Sequence, residues 1–452
     1  MSTPDLQTNF CGHAFRPHLT SVLPNDMTPE YLALRQQVEA HRDAYYVKHA
    51  PTVDDFEFDR LVRQLAAMEQ KLGISDPTSP TATVGSDLDA GFKKVAHATP
   101  MLSLSNIFST EEIEIFFKEN LMLIGEPKID GLSLSLHYAD GKLVQAITRG
   151  DGRQGDDVTA NALGIASIPK TIAYRQPLEV RGEAYMKRSV FAELNKQREA
   201  EGEDLFKNPR NAASGSLKQK DSVESAKRKL DFLAYWADSD FVAAGYARGK
   251  TTDCDLMIDL KDLGFDIPAV RFKFTNEAHS MVAEFGGMKP ELEYDIDGVV
   301  LKVNDLAKRQ QLGVGTHAPK WAVAYKFPPE RKVTRLLDIV VTIGKSGQAC
   351  PNAVLAPLEL AGTTVTAASL MNVDELERIG SPAIGDDVWV SKSGEIIPRV
   401  TEIAKRNGGA PWILPNTCPS CGTELIRDGV HFFCTNHDAC PAQIEENLFH
   451  HR

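Results

Sequence analysis

Lys128 stands in the run Glu126-Pro127-Lys128-Ile129-Asp130-Gly131, where an amine precedes a carboxylate and a glycine. A lysine so placed can attack an activated phosphate once it sheds its proton, and a solvated lysine, with pKa near ~10.4, is charged at neutral pH. Burial or a cationic neighbour is the expected means of removing that proton. A K-x-D-G run alone arises by chance in roughly one chain in ten of this length, so its company decides. Cys418-Pro419-Ser420-Cys421, with Cys434 and Cys440 beyond it, is a second chemical centre. Thiolates at this spacing suit a tetrahedral structural zinc site, with His431 and His437 as spare donors.

Thr28 caps a helix that has Pro29 in its first turn and Leu34, Val38, His41 and Tyr45 on one face. A second helix carries Phe58, Leu61, Val62, Leu65, Met68 and Leu72 and stops at Gly73. From Leu132 the period changes to two, and Asp140-Gly141 fits a tight hairpin into the strand Leu143 to Arg149. Alternation returns at Leu178 to Met186, Val299 to Val303 and Trp321 to Phe327, interrupted by a helix capped near Ser189. In the last strand Lys326 shares a face with Ala322 and Ala324, which leaves it room to reach a ligand. The pattern predicts a largely antiparallel α+β domain. Past Pro328-Pro329 come short strands with glycine turns, among them Val388 to Lys392, the turn Ser393-Gly394 and Glu395 to Val400, as in a small barrel.

Gly150-Asp151-Gly152-Arg153-Gln154-Gly155 matches G-x-G-x-x-G after a strand. A dinucleotide site of that kind needs a parallel strand-helix-strand unit, whereas the hairpin makes the preceding strand antiparallel. The glycines are therefore read as a loop that carries Arg149.

The 452 residues suffice for several domains, and 62 acidic against 50 basic residues give a net charge of -12. Such a chain does not coat nucleic acid with its whole surface, although basic runs such as Lys218-Gln219-Lys220 and Lys227-Arg228-Lys229 offer local tracks. No stretch has the apolar length of a membrane helix and Met1 to Phe10 is no secretion signal, so a cytosolic protein without membrane partners is expected. Four clustered cysteines among seven argue against a disulfide framework, and Cys11, Cys254 and Cys350 are expected to be plain thiols.

The lysine motif belongs to an ordered series: Met101 to Asn106, Lys128, Thr148-Arg149-Gly150-Asp151-Gly152, Val180 to Glu183, Asn208-Pro209-Arg210-Asn211, Asp297 to Val303, and Trp321 to Phe327. Together these resemble the nucleotidyltransferase core of NAD-dependent DNA ligases of the bacterial type, from about Tyr45 to the last cysteine. The resemblance implies a multidomain α+β protein. Its parts would be a tail (1–27), a helical module for nicotinamide mononucleotide (28–85), an antiparallel α+β adenylation domain (86–328), an oligonucleotide-binding (OB-fold) barrel (329–410) and a four-cysteine zinc module (411–452).

It also implies the chemistry. Lys128 would attack the AMP phosphorus of NAD, the adenylate would pass to the 5′-phosphate at a nick in double-stranded DNA, and the 3′-hydroxyl would then displace AMP. Asp130, Glu183 and Asp297 join Lys128 as catalytic positions, with Glu183 and Asp297 linked to Mg²⁺ and Asp130 on the ribose or activating the lysine. Ser103, Leu104, Glu126, Arg149, Glu183, Tyr235, Lys302 and Lys326 are expected around the adenylate, Glu126 at the adenine edge and Tyr235 stacked on the ring. Tyr45, Tyr46, Asp55 and Asp59 would hold the nicotinamide half, Arg210 and Lys218 phosphates, and Cys418, Cys421, Cys434 and Cys440 the zinc. Phe58 and Lys218 depart from the family pattern, where tyrosine and arginine are usual. Members usually continue into helix-hairpin-helix and BRCT domains, so the expectation is self-adenylation with weakened nick sealing, in a cytoplasmic monomer. Two alternatives are an ATP-using nucleotidyltransferase, with no use for Tyr45, Tyr46 and Asp59, and a catalytically silent nick-binding scaffold, in which Lys128 stays unmodified.

Overall fold

The computed structural model describes residues 28–46, 53, 55–74, 76, 78–83, 91–246, 248–315, 318–360, 363–392 and 398–449. The tail with Cys11, the Ser393-Gly394 turn and the side chains of Tyr45, Tyr46 and Asp55 lie outside the described residues.

The hydroxyl of Thr28 accepts from the Tyr31 amide at 3.2 Å and starts the helix Pro29–Tyr46 (α1). Its apolar side packs on Asp55–Leu72 (α2) through buried Tyr31, Val38, Leu61 and Leu65.

The next domain is built on the strands Ser105–Ile107 (β1), Met122–Ile129 (β2), Leu132–Ala139 (β3), Lys142–Thr148 (β4), Leu178–Tyr185 (β5), Asp231–Ala237 (β6), Arg271–Phe274 (β7), Ile296–Val303 (β8) and Ala322–Lys326 (β9). Its helices include Pro209–Leu217 (α3), Asp253–Asp262 (α4), Ala278–Met288 (α5) and Leu306–Leu312 (α6). These strands form two sheets, ordered β4-β3-β5-β6 and β1-β9-β8-β2-β7, in which only β1 and β9 pair in parallel. Asp140 and Gly141 join β3 to β4 with φ of 50° and 70°, the left-handed pair that a tight hairpin needs. The helix expected near Ser189 runs Arg188–Glu201 behind an extended Lys187, and the Ser189 hydroxyl instead donates to Glu293 Oε2 at 2.7 Å.

Because β2 lies in one sheet and β3 in the other, the chain crosses between them at Asp130-Gly131. The crossing is close: a Cβ on Gly131 would sit 2.3 Å from the Ala184 carbonyl oxygen. Alternation then fixes the two faces of the larger sheet. Leu123, Val299, Leu301, Val303, Val323 and Tyr325 pack with Met281, Val282 and Phe285 of α5. The other face carries Glu126 and Lys128, Gly298, Val300 and Lys302, and Ala322, Ala324 and Lys326, since cross-strand partners share a side.

Gly298 pairs with both Lys128 and Lys326, and a Cβ there would fall 1.9 Å from the Tyr325 carbonyl oxygen. Gly298→Ala must wedge β8 from β9 and is expected to cost about 3 kcal/mol. Urea denaturation checks this, and an unchanged midpoint refutes it.

Further on, Glu330–Ile343 (β10), Ala349–Leu360 (β11), Thr363–Ser369 (β12), Asp387–Lys392 (β13) and Arg399–Lys405 (β14) close a barrel in the order β10-β11-β12-β14-β13. Leu336, Leu355, Leu370, Val388 and Val390 are in its buried core, against Leu376 of the helix Val373–Arg378 (α7). Strands Leu425–Asp428 (β15) and His431–Cys434 (β16) and the helix Pro441–Phe449 (α8) frame the four cysteines. No helix among the described residues is long and apolar enough to cross a membrane.

Candidate active site and zinc centre

A cavity of about 550 Å³ is lined from both sheets and from α2. Lys128 lies on its wall with Glu126, Lys302 and Lys326, as the shared face requires. Register explains its partner: Ile296 pairs with Ile129 and Gly298 with Lys128, which leaves Asp297 as the extra residue of a bulge. A bulge re-aims its side chain. Here Lys128 Nζ donates to both Asp297 oxygens, at 2.9 and 2.8 Å. Burial or a cationic neighbour was expected at the amine; the group that touches it is a carboxylate.

Three further cations on the wall meet acids. Arg210, in the first turn of α3 behind the cap Asn208, donates to Asp130 Oδ1 at 2.6 Å. Lys326 Nζ lies 2.7 Å from Asp59 Oδ2, so the helical module closes one side of the cavity, with Phe58 on the same wall. Lys302 bridges Glu126 and Asp253.

From the smaller sheet, Ser133 pairs across the strands with Glu183 and donates its hydroxyl to Oε2 at 2.8 Å. Desolvation pushes the Glu183 carboxyl up to about 7, against the pull of that hydroxyl and of Arg210, Lys128 and Arg149. Tyr235 is the extra residue of a second bulge, because Arg181 pairs with Trp236 and Gly182 with Ala234. Tyr235 and Trp236 both line the cavity, and the Arg181 guanidinium lies 4.2 Å from the Trp236 ring centroid. Arg149, Ser103 and Leu104 complete the wall. The loop after β4 leads to the short strand Gln154–Asp156 and no helix follows directly, so the glycines there are not a dinucleotide fingerprint.

Lys218 is not among the cavity residues. Its Nζ lies 3.3 Å from Asp156 Oδ2 with both side chains buried, a pairing that turns it inward, away from the phosphate contact expected of it. Sequence reasoning missed Arg181, Trp236, His97, Asp253 and Arg309. Arg181 stood inside a recognised run. His97 Nε2 lies 3.1 Å from the carbonyl oxygens of both Thr148 and Arg149, and burial holds the ring below its ordinary pKa, so a neutral imidazole N–H braces the Arg149 backbone.

At the other centre the sulfurs of Cys418, Cys421, Cys434 and Cys440 lie within 4.8 Å of one another. Cys418 to Cys440 is 3.9 Å and Cys421 to Cys434 is 3.4 Å. A tetrahedron with Zn–S bonds of about 2.3 Å has edges of about 3.8 Å, so the set fits zinc. The Thr423 hydroxyl and amide hold the Cys421 thiol down to about 6, which favours the ligating thiolate. His431 and His437 are occupied elsewhere, by Gln348 at 3.0 Å and Gln443 at 2.9 Å.

A lysine on the wall between two largely antiparallel sheets, paired cations and acids around it and a closed barrel following in the chain define a nucleotidyltransferase. The family model of the NAD-dependent DNA ligase adenylation domain matches residues 89–330, and that of the OB-fold domain of these ligases residues 333–410. The DNA ligase-like N-terminal NAD+-binding domain matches 24–85 and the C4 zinc finger domain 417–442. The chain belongs to the NAD-dependent DNA ligase family. It is 42% identical over 448 residues to a DNA ligase of Lactobacillus helveticus, covering 96% of this chain and 66% of that protein. A DNA ligase of Lactiplantibacillus plantarum is 42% identical over 449 residues, covering 94% and 65%. The chain thus spans about two thirds of the length of these relatives.

Proposed function

We propose that the protein is a DNA ligase that charges Lys128 with AMP taken from NAD and spends it on sealing nicks in duplex DNA. The observation that carries this reading is the cavity itself. Lys128 lies there beside the Asp297 carboxylate, between Glu126, Lys302 and Lys326 on one sheet and Glu183 and Tyr235 on the other, while Asp59 of the NAD+-binding module reaches Lys326.

Once Nζ has given up a proton to solvent, its lone pair attacks the AMP phosphorus, a P–N bond forms, and the P–O bond to nicotinamide mononucleotide breaks, the mononucleotide phosphate leaving with the electron pair. The adenylyl group then passes to the 5′-phosphate at a nick, and the 3′-hydroxyl displaces AMP to join the strand. Positioning and charge neutralisation supply most of such catalysis. Arg149 and Lys326 line the cavity and would meet phosphate and ribose oxygens, while Lys302 backs Glu126. Glu183 and Asp297 would hold Mg²⁺, which needs one or two protein carboxylates beside phosphates and would offset charge on the phosphoryl oxygens. Zinc in the four-cysteine module has a structural role.

Intact mass after incubation with NAD and Mg²⁺ tests the reading, with ATP in a parallel tube and a labelled nicked duplex in a third. One AMP adduct from NAD, none from ATP, and a joined strand are expected. No adduct from NAD refutes the donor assignment, and an adduct without joining refutes the sealing step.

A further inference from the structure

We propose that Arg309 and Asp253 are positioning residues that make the cavity select adenine over a 6-oxopurine, by keeping the Glu126 side chain a hydrogen-bond acceptor. This rests on the reading that the cavity takes the adenosine half of NAD with Glu126 at the base edge.

The geometry is a closed set of four charges. Lys302 Nζ contacts Glu126 Oε1 and lies 3.0 Å from Asp253 Oδ2, and Arg309 donates from NH1 to Asp253 Oδ1 at 2.7 Å. Arg309 Nε donates to the Val303 carbonyl at 2.5 Å, and its guanidinium lies 4.5 Å from the Trp321 ring centroid. Solvent exposure is 3% for Glu126, 6% for Lys302, 0% for Asp253 and 6% for Arg309. The groups come from four elements, β2, β8, α4 and α6, so the fold converges on them. With all four ionised the buried charge sums to zero.

Removing one partner from such a set leaves an uncompensated buried charge, which the remaining groups relieve by gaining or losing a proton. Without Arg309 the surplus is negative and a carboxylate must take up the proton. Asp253 retains Lys302, while burial already pushes the Glu126 carboxyl up, so Glu126 receives it. A carboxylate only accepts hydrogen bonds, whereas its protonated form can also donate one. Adenine presents a 6-amino donor and hypoxanthine a 6-oxo acceptor. Arg309 touches Asp253 and not Glu126, yet its charge decides which base Glu126 favours. Replacing Asp253 by asparagine leaves a positive surplus, which keeps Glu126 ionised.

The two substitutions therefore pull apart, as a shared packing role would not. The probes are NAD and nicotinamide hypoxanthine dinucleotide, with single-turnover AMP or IMP adduct formation on the full chain followed by intact mass. Arg309→Gln is expected to narrow the wild-type preference for NAD by about tenfold or more, because a polar mismatch is then relieved for the oxo base. Arg309→Lys should restore that preference, and Asp253→Asn should keep it within about threefold of wild type. Far-UV circular dichroism reports folding, and if Arg309→Gln does not fold, the other two variants carry the test. Arg309→Gln retaining full preference, or Asp253→Asn losing it, overturns the inference. Wild type forming no adduct from NAD refutes the functional reading instead.

Discussion

Lys128→Ala is expected to abolish the AMP adduct formed from NAD and, with it, nick joining from unadenylated enzyme. The substitution removes the nucleophile and leaves the cavity's cations in place, so binding alone gives no residual adduct. It also strips Asp297 of the ammonium that donates to both its oxygens, and loss of activity alone would not separate chemistry from a disturbed wall. Lys128→Arg makes that separation, since a guanidinium keeps the charge and can donate to Asp297 but is not a nucleophile at neutral pH. Both variants should form no adduct by intact mass while Lys128→Arg melts close to wild type. The side-chain exposures of Lys128 and Asp297, 23% and 19%, put the pair at a wall and not in the core, so its loss should cost little stability. An adduct persisting in either variant, mapped to another residue by peptide mass, would disprove the assignment of Lys128. A joined strand from pre-adenylated DNA in Lys128→Ala is the complementary expectation, because that step no longer needs the lysine.

Much of this site is written locally. The faces of β2 and β9 follow from a period of two, which puts Lys326 with Ala322 and Ala324, and the Asp140-Gly141 turn fixes β3 against β4 and excludes a parallel dinucleotide unit. The ordered motifs brought Lys128, Arg149, Glu183, Asp297, Lys302 and Lys326 to one cavity. What stayed hidden depends on pairings remote in sequence. That Asp297 is a bulge residue follows from how β8 registers on β2, and no local pattern encodes that register. Asp253 reads as an ordinary first-turn acid behind the cap Thr252, which it also is, and only the packing of α4 and α6 beside β8 turns it toward Lys302 and Arg309. Lys218 misled for the opposite reason. A basic run suggests an exposed contact, and Asp156 buries the first of its lysines.

Cys434→Ser, or removal of zinc by a strong chelator that is then exchanged for zinc-free buffer with Mg²⁺, is expected to unfold the segment from Thr417 to Phe449 while leaving AMP transfer to Lys128 intact. The apolar support there is slight: besides the cysteines, the buried members of that cluster are Ile343, Ala349 and Leu425. Its strands β15 and β16 have four residues each, and an isolated two-stranded hairpin is marginal in water. A structural zinc contributes about 10–16 kcal/mol of apparent binding free energy, comparable with the whole stability of a domain, so four thiols without metal do not hold this shape. The disturbance should reach the barrel chiefly at the turn between β10 and β11. The Cys434 amide donates to the Gly347 carbonyl at 2.8 Å, and Gly347, at φ 84°, leaves no room for a Cβ beside the Cys434 carbonyl. The hairpin joining β10 to β11 should therefore loosen with the module, while Val388 and Val390 in the barrel core stay protected. Metal analysis, limited proteolysis and hydrogen exchange read these effects, with the NAD adduct measured in the same samples. Zinc-free protein that keeps its protection across Thr417 to Phe449 would show that the cysteines do not depend on metal, and loss of the adduct on chelation would show that the two centres are coupled.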